Sequence, residues 1–233
     1  MKTDVQKLYN MRFRSDEKKK KSSIWKEICS YLGVFLPKSV KVIVDIGGGY
    51  CDFINNINCD CRKIIIDLNP DARVYAKKGV EVLVDNFLNL PQYLEKNTVS
   101  LFFMSNFLEH INKDDINKLF QMQYDLLEPE GEVWVLTPNI KYVGGKYWDF
   151  FDHITPITEK SLIEAATLHG FHVKKCIPRF LPFTTKSKLP QSTLIVKMYL
   201  KLMPISGYVF GEQSFLIFSK QNDRRNKDNE AAM

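Results

Sequence analysis

Lys41-Val42-Ile43-Val44-Asp45-Ile46-Gly47-Gly48-Gly49 is the stretch that decides the fold. A short β-branched apolar run that ends on glycines reads as a buried parallel strand followed by a tight turn. Gly47 and Gly49 carry no Cβ, so the chain can bend sharply there and a ligand can approach the backbone. A helix is expected to begin near Cys51. Working outward, residues 62–67 repeat the pattern with Ile64, Ile65 and Ile66 and close on Asp67, and residues 80–84 close on Asp85. Further strands are predicted over 99–104, 132–136, 171–177 and 214–218. Between them, Ile116, Leu119, Phe120, Tyr124 and Leu127 fall at helical spacing, with Pro129 to Gly131 as the stop. A second helix should start at Thr158 and end at Gly170. Strand and helix patterns in alternation argue an α/β protein.

The chain has 233 residues, 45% of them hydrophobic and 26% charged, which suits one globular domain. Its net charge of +6 is not spread along it. Residues 1–26 hold nine Lys or Arg against three acids, while residues 27–219 hold 20 against 21. No broad basic face for nucleic acid follows. The run from Lys18 to Lys21 is expected to be a solvated part of a basic arm rather than a contact for acidic lipid. Five cysteines form no Cys-x-x-Cys pair and have no histidine at zinc spacing, so no metal site is expected and a reducing cytoplasm fits best. The N-terminal residues do not resemble a secretory signal, and no run approaches the ~18 apolar residues of a membrane span.

The predicted organisation is a basic N-terminal arm and helix over 1–38, a catalytic domain over 39–220 and a charged tail, without fixed structure, over 221–233. Between the sixth and seventh strands lies a long connection, residues 178–211, with Pro178, Pro182, Pro190 and Pro204 and a helix-like stretch at 194–202. Long connections in compact domains usually serve function, so this one reads as a lid or substrate-selecting insertion, against the alternative of a packing helix. Lys197 and Lys201 would let the same stretch rest on a membrane surface, although core or lid packing is preferred.

The ligand of the glycine turn follows from charge. A dinucleotide fingerprint needs Gly-x-Gly-x-x-Gly, but the last position here is Asp52 and Asp45 precedes the turn. Each repulsion between those acids and a pyrophosphate would cost roughly 1 to 4 kcal/mol, which disfavours NAD and FAD. S-adenosylmethionine has no phosphate and carries a positive sulfonium and amino group, so Asp45 would attract it. Asp67, 22 residues later, stands near the spacing of a ribose-binding acid, and Asp85 could accept from the adenine amine.

Val42-Ile43-Val44-Asp45-Ile46-Gly47-Gly48-Gly49, Ile66-Asp67-Leu68-Asn69-Pro70, Val84-Asp85-Asn86-Phe87, Ser105-Asn106-Phe107-Leu108-Glu109-His110 and Leu127-Glu128-Pro129-Glu130-Gly131 together resemble the class I S-adenosylmethionine-dependent methyltransferases. The resemblance covers about residues 40–220. It implies a Rossmann-like sheet of seven strands in the order 3-2-1-4-5-7-6, mostly parallel with strand seven antiparallel, and helices on both faces. It also implies cofactor contacts from Gly47, Gly49, Asp67, Asp85 and Asn106. Cys51 departs from the pattern, which often has a third glycine there.

Methyl transfer to oxygen needs an acceptor lone pair in line with the departing sulfur and loss of the hydroxyl proton. His153 is the preferred general base, tuned by Asp152 or Asp149, with a backbone-bonded structural histidine as the alternative. His110 is the second candidate, and Glu109 beside it is read as supporting the turn. The segment Gly144-Gly145-Lys146-Tyr147-Trp148-Asp149-Phe150-Phe151-Asp152-His153 suits a pocket that stacks a ring or sugar. The Asn/Asp-Pro-Pro-Tyr/Phe motif of nucleic-acid amino methyltransferases is absent from Ser105-Asn106-Phe107-Leu108, so a small-molecule, saccharide or lipid-linked acceptor is expected. Phe150-Phe151-Asp152-His153-Ile154-Thr155-Pro156, the stretch from Pro178 to Ser187 and Arg12-Phe13-Arg14 are similar, more loosely, to methyltransferases associated with bacterial surface-polysaccharide synthesis. The rival readings are a cofactor-binding but catalytically silent subunit and a nucleotide-sugar or NAD oxidoreductase.

Overall fold

The computed structural model describes residues 15–183 and 192–220. Expectations placed on Arg12-Phe13-Arg14, on 184–191 and on the tail at 221–233 lie outside the described residues, as do the side chains of Lys18 to Lys20.

The chain runs α1 (Ser15–Leu32), β1 (Val42–Ile46), β2 (Arg62–Asp67), a single turn α2 (Ala72–Tyr75), β3 (Val80–Val84), β4 (Val99–Ser105), α3 (Lys113–Leu126) and β5 (Leu127–Pro138). It continues through a single turn α4 (Ile140–Val143), α5 (Glu159–Leu168), β6 (Phe171–Leu181), α6 (Thr193–Lys201), α7 (Ile205–Phe210) and β7 (Gln213–Lys220). The seven strands form one sheet in the order β3-β2-β1-β4-β5-β7-β6. The first five are mutually parallel, and β7 runs antiparallel between β5 and β6. This is the expected topology.

Both faces of the central strands are apolar because both are covered. Val44 and Ile46 on β1, Phe102 and Met104 on β4, and Val133 and Val135 on β5 meet Leu119 and Phe120 of α3 and Leu162 of α5 on one face. The intervening residues Ile43, Leu101, Phe103 and Trp134 meet Trp25, Ile28 and Leu32 of α1 and Tyr199 and Leu200 of α6 on the other. Helix starts follow side-chain chemistry. Asn112 caps α3 by accepting from the Asp115 N–H at 2.8 Å, and Thr158 and Ser161 form a reciprocal capping box on α5.

Four expectations need correction. No regular helix follows the glycine turn. Residues 49–56 form successive turns, with Cys51 at φ +60°, and pack Phe53, Ile54 and Ile57 against the sheet. Strand β5 begins at Leu127, directly after α3, with Glu130 at φ +65° where the pairing with β4 shifts register; Pro129 to Gly131 therefore interrupt a strand rather than stop a helix. Strand β6 extends to Leu181, because Leu181 still pairs with Gln213, so the insertion starts four residues later than its prolines suggest. The basic arm is not wholly solvated: α1 packs on the sheet, and Lys21 pairs with Asp52 at 3.3 Å. The helix expected at 194–202 is α6, which packs against α1 and is tied to β6 by the Tyr199 hydroxyl donating to the Phe180 carbonyl at 2.7 Å. Among the described residues no helix is long and apolar enough to cross a membrane.

Candidate active site

The strand register sets the site. Ile46 lies beside Ile66 and Met104, and Asp67 beside Val84, so Gly47, Asp67, Asp85 and Asn106 stand along one carboxyl edge of the sheet. The chain leaves β1 toward β2 and β3 and later returns on the opposite side as β4. That reversal is the topological switch point at which open α/β sheets bind ligands.

Gly47 has φ +68° and its N–H donates to the Ile66 carbonyl at 2.8 Å. A Cβ at Gly47 would lie 2.3 Å from the Phe107 ring, so the close approach of the β4 end requires glycine. Asp45 lies on the inner side of the turn, where a Cβ on Gly48 would come 2.7 Å from its Oδ2. The Ile54 N–H donates to the Asp45 carboxylate, but Oδ2 is buried with no partner. Burial, reinforced by the charge of Asp67, pushes the Asp45 carboxyl well above the usual range.

Asp67 accepts from the Gly49 N–H at 2.8 Å on Oδ2 and from the Asn69 N–H at 2.7 Å on Oδ1. Burial raises its pKa, and these two bonds partly oppose the rise. Cys51, fully buried next to this carboxylate pair, has its thiol pushed up to about 12 by burial and then by Asp45, Asp67 and Asp52. It is a neutral packing group rather than a nucleophile.

Asp85 is more exposed. It accepts from the Tyr93 hydroxyl at 2.8 Å, the Asn89 amide at 2.8 Å and the Asn86 N–H at 2.7 Å, and these bonds lower its pKa. Asn106 is exposed at φ +50°, with its N–H bonded to the Leu136 carbonyl at 2.8 Å.

Beyond Asn106 a short 3-10 turn, Leu108–His110, carries Glu109 inward and His110 sideways. Glu109 is fully buried. Its Oε2 accepts from the Thr137 hydroxyl of β5 at 3.2 Å, and its carbonyl accepts from the N–H groups of Ile154 and Thr155. Burial pushes the Glu109 carboxyl up to about 7, although the charge of His110 opposes the shift. The His110 Nδ1 lies 3.2 Å from Asp152 Oδ2. Burial disfavours the imidazolium, but the bond to Asp152 and the charges of Glu109 and Asp152 outweigh it, so the His110 pKa is raised.

The His153 ring stands 4.9 Å from that of His110 and stacks on Phe150 at 5.0 Å. Tyr147 lies edge-on to it at 4.7 Å, and Phe183, in the connection from β6 to α6, at 6.3 Å. The structure thus brings both candidate histidines together. Asp152, read as a tuner of His153, is bonded to His110.

Glu109 was underweighted in the sequence. Glu109 and His110, adjacent in the 3-10 turn, each bring a donor atom within 4.8 Å of His153. Phe183 lies in the stretch from Pro178 to Ser187 that carried the looser resemblance, but neither it nor Thr137 was assigned a role from the sequence. Asn139, the residue directly after β5, is structural. Its amide donates to Glu159 at 2.6 Å and to Ser214 at 2.8 Å, and its Oδ1 accepts from the Lys141 N–H.

An open sheet with a glycine turn and acid-tipped strands at its switch point defines an α/β ligand-binding fold of the nucleotide type. Solved structures narrow that class. A SAM-dependent methyltransferase from Archaeoglobus fulgidus superposes with TM-score 0.60 at 18% identity, over 83% of this chain and 93% of that one. A SAM-dependent methyltransferase from Thermotoga maritima gives 0.62 at 17% identity, over 84% and 89%. The geranyl diphosphate C-methyltransferase of Streptomyces coelicolor, solved with S-adenosyl-L-homocysteine, gives 0.59 at 14% identity, over 83% and 75%. No protein-family model and no curated protein matches the chain. The fold is that of the class I S-adenosylmethionine-dependent methyltransferases.

Proposed function

We propose that the protein binds S-adenosylmethionine at the glycine turn and catalyses methylation of an oxygen on a small-molecule or saccharide acceptor. One observation carries the reading: a cradle of carboxylates at the switch point adjoins, one strand away, a Glu-His-His cluster walled by aromatic rings.

The residues of the cradle fit the cofactor. Asp45 and Asp67 are acceptors whose carboxyls are raised by burial, and a positive ligand at the turn would offset that cost. Asp67 would receive ribose hydroxyls on lone pairs not used by Gly49 and Asn69. Asp85 and Asn106 would border the adenine end. Bound there, S-adenosylmethionine supplies an electrophilic methyl group, with sulfur as the leaving atom.

Tyr147, Phe150 and Phe183 would stack the acceptor ring, and the insertion that contains Phe183 would select it. The hydroxyl proton leaves at the same edge, where His153 and His110 stand. A small-molecule acceptor is also in keeping with the Streptomyces coelicolor neighbour, whose substrate is geranyl diphosphate.

Calorimetry with S-adenosylmethionine is the direct test: wild type should bind one equivalent and Asp67→Ala should not. Absence of binding by wild type would sink the reading. Cell extract supplemented with enzyme and cofactor should yield S-adenosylhomocysteine and a product heavier by one methylene, found by mass spectrometry. Binding without any turnover would favour the catalytically silent subunit.

A further inference from the structure

We propose that Glu109, His110 and His153 form a binding site for a divalent first-row transition cation of the manganese, cobalt or zinc type. One donor atom from each lies within 4.8 Å of the other two. Two imidazoles and a carboxylate are a donor set that such ions take, and three protein ligands leave coordination positions open.

Two further observations point at a ligand. Glu109 Oε1 is fully buried, accepts no hydrogen bond and faces His110 Nε2 at 4.0 Å, while its twin Oε2 is held by Thr137. A buried carboxylate oxygen without a partner is costly, and a cation between it and the imidazoles would satisfy it. His110 is also oriented from behind. Its Nδ1 faces Asp152 Oδ2 at 3.2 Å and the Asp152 carbonyl at 3.1 Å, which puts the ring proton on Nδ1 and leaves the Nε2 lone pair toward Glu109. A carboxylate behind an imidazole is the arrangement that fixes metal-ligating histidines. His153 completes the set on a ring held by Phe150 and Tyr147.

The role of the cation rests on the methyltransferase reading, whereas its binding does not. An acceptor hydroxyl in an open position would lose its proton to water more readily. Its freed oxygen pair would form the bond to the methyl carbon as the carbon–sulfur pair goes to sulfur. His110 and His153 then act as ligands, and water takes the proton.

The test uses the full chain, stripped with a chelator and titrated with Co2+ while visible d–d absorption is read. The expected result is one Co2+ per chain, with binding lost or weakened at least about tenfold in Glu109→Gln and His153→Gln and unchanged in the distant His172→Ala. Asp152→Asn, which changes the carboxylate behind His110 and leaves all three ligands in place, should weaken it by about 10- to 100-fold and serves if a buried variant fails to fold by circular dichroism. No saturable binding by wild type, or equal binding by wild type and Asp152→Asn, overturns the proposal. S-adenosylmethionine calorimetry on the stripped chain tests the other reading separately, so the failure of either is recognised without the other.

Discussion

The backbone N–H of Gly49 donates to Asp67 Oδ2 at 2.8 Å, so one side chain at the end of β2 fastens the glycine turn that follows β1. With the second bond from Asn69, the carboxylate organises both loops that would border the cofactor. Asp67→Ala leaves two buried donors unpaired, which costs about 1–3 kcal/mol for each. Urea denaturation should therefore show lower stability together with the loss of cofactor binding. Unchanged stability would mean that the turn is held by other contacts.

Cys51 occupies the left-handed region at φ +60°, where a β-carbon costs about 1–2 kcal/mol. Its sulfur contributes burial in partial exchange. Cys51→Ala removes the sulfur and keeps the strain, whereas Cys51→Gly removes both. The glycine variant should thus melt at or above the alanine variant, the reverse of the usual order. Differential scanning calorimetry decides this, and a clearly higher midpoint for alanine would refute it.

Asp45 holds its proton more tightly folded than unfolded, because burial and Asp67 raise its carboxyl. Between its unfolded pKa near 3.9 and the raised folded value, the native state binds more protons, so stability falls as pH rises through that window. Asp45→Asn keeps an acceptor for the Ile54 N–H and removes the titration. Its melting temperature should vary less between about pH 4 and pH 8 than that of wild type. Parallel curves would show that Asp45 titrates normally.

Asn139 is fully buried and joins β5, α5 and β7 through Glu159 and Ser214. Asn139→Ala should cost about 2–4 kcal/mol, from two stranded acceptors and a cavity. Cofactor affinity should survive wherever the variant remains folded. Loss of cofactor binding at full stability would instead place Asn139 in the site.

The strand framework was legible because β1, β2 and β3 are short β-branched runs that end on or run into an acid or glycine and β4 carries a continuous apolar run, compositions that burial on both faces of a parallel sheet demands. The helix expected from Cys51 does not form because Cys51, at its expected start, stands at positive φ, outside the right-handed helical region. Gly47, Asp67 and Asp85 were readable as cofactor candidates because a strand end fixes where a side chain stands. The acceptor side was half readable. His110 and His153 are 43 positions apart, and their meeting depends on the bonds from Ile154 and Thr155 to the Glu109 carbonyl, which no local pattern encodes. Glu109 was read only as a support for the turn because its importance lies in burial, which a charged residue in sequence does not advertise.

His153 separates the two halves of the site. Its ring stands against Phe150, Tyr147, Phe183 and His110 on the acceptor side, whereas the glycine turn is built by Asp45, Phe107 and Asp67. A change at His153 should therefore act on the chemical step rather than on cofactor capture. His153→Gln should lower kcat by about 10²- to 10⁴-fold, the range for loss of assistance to proton removal in the transition state. The Kd for S-adenosylmethionine should stay close to that of wild type. A steady-state comparison with calorimetry on the same preparations makes the split visible. A cofactor Kd that rises in step with the fall in kcat would mean that His153 supports the glycine turn, and the acceptor would then have to be sought along another part of the sheet edge.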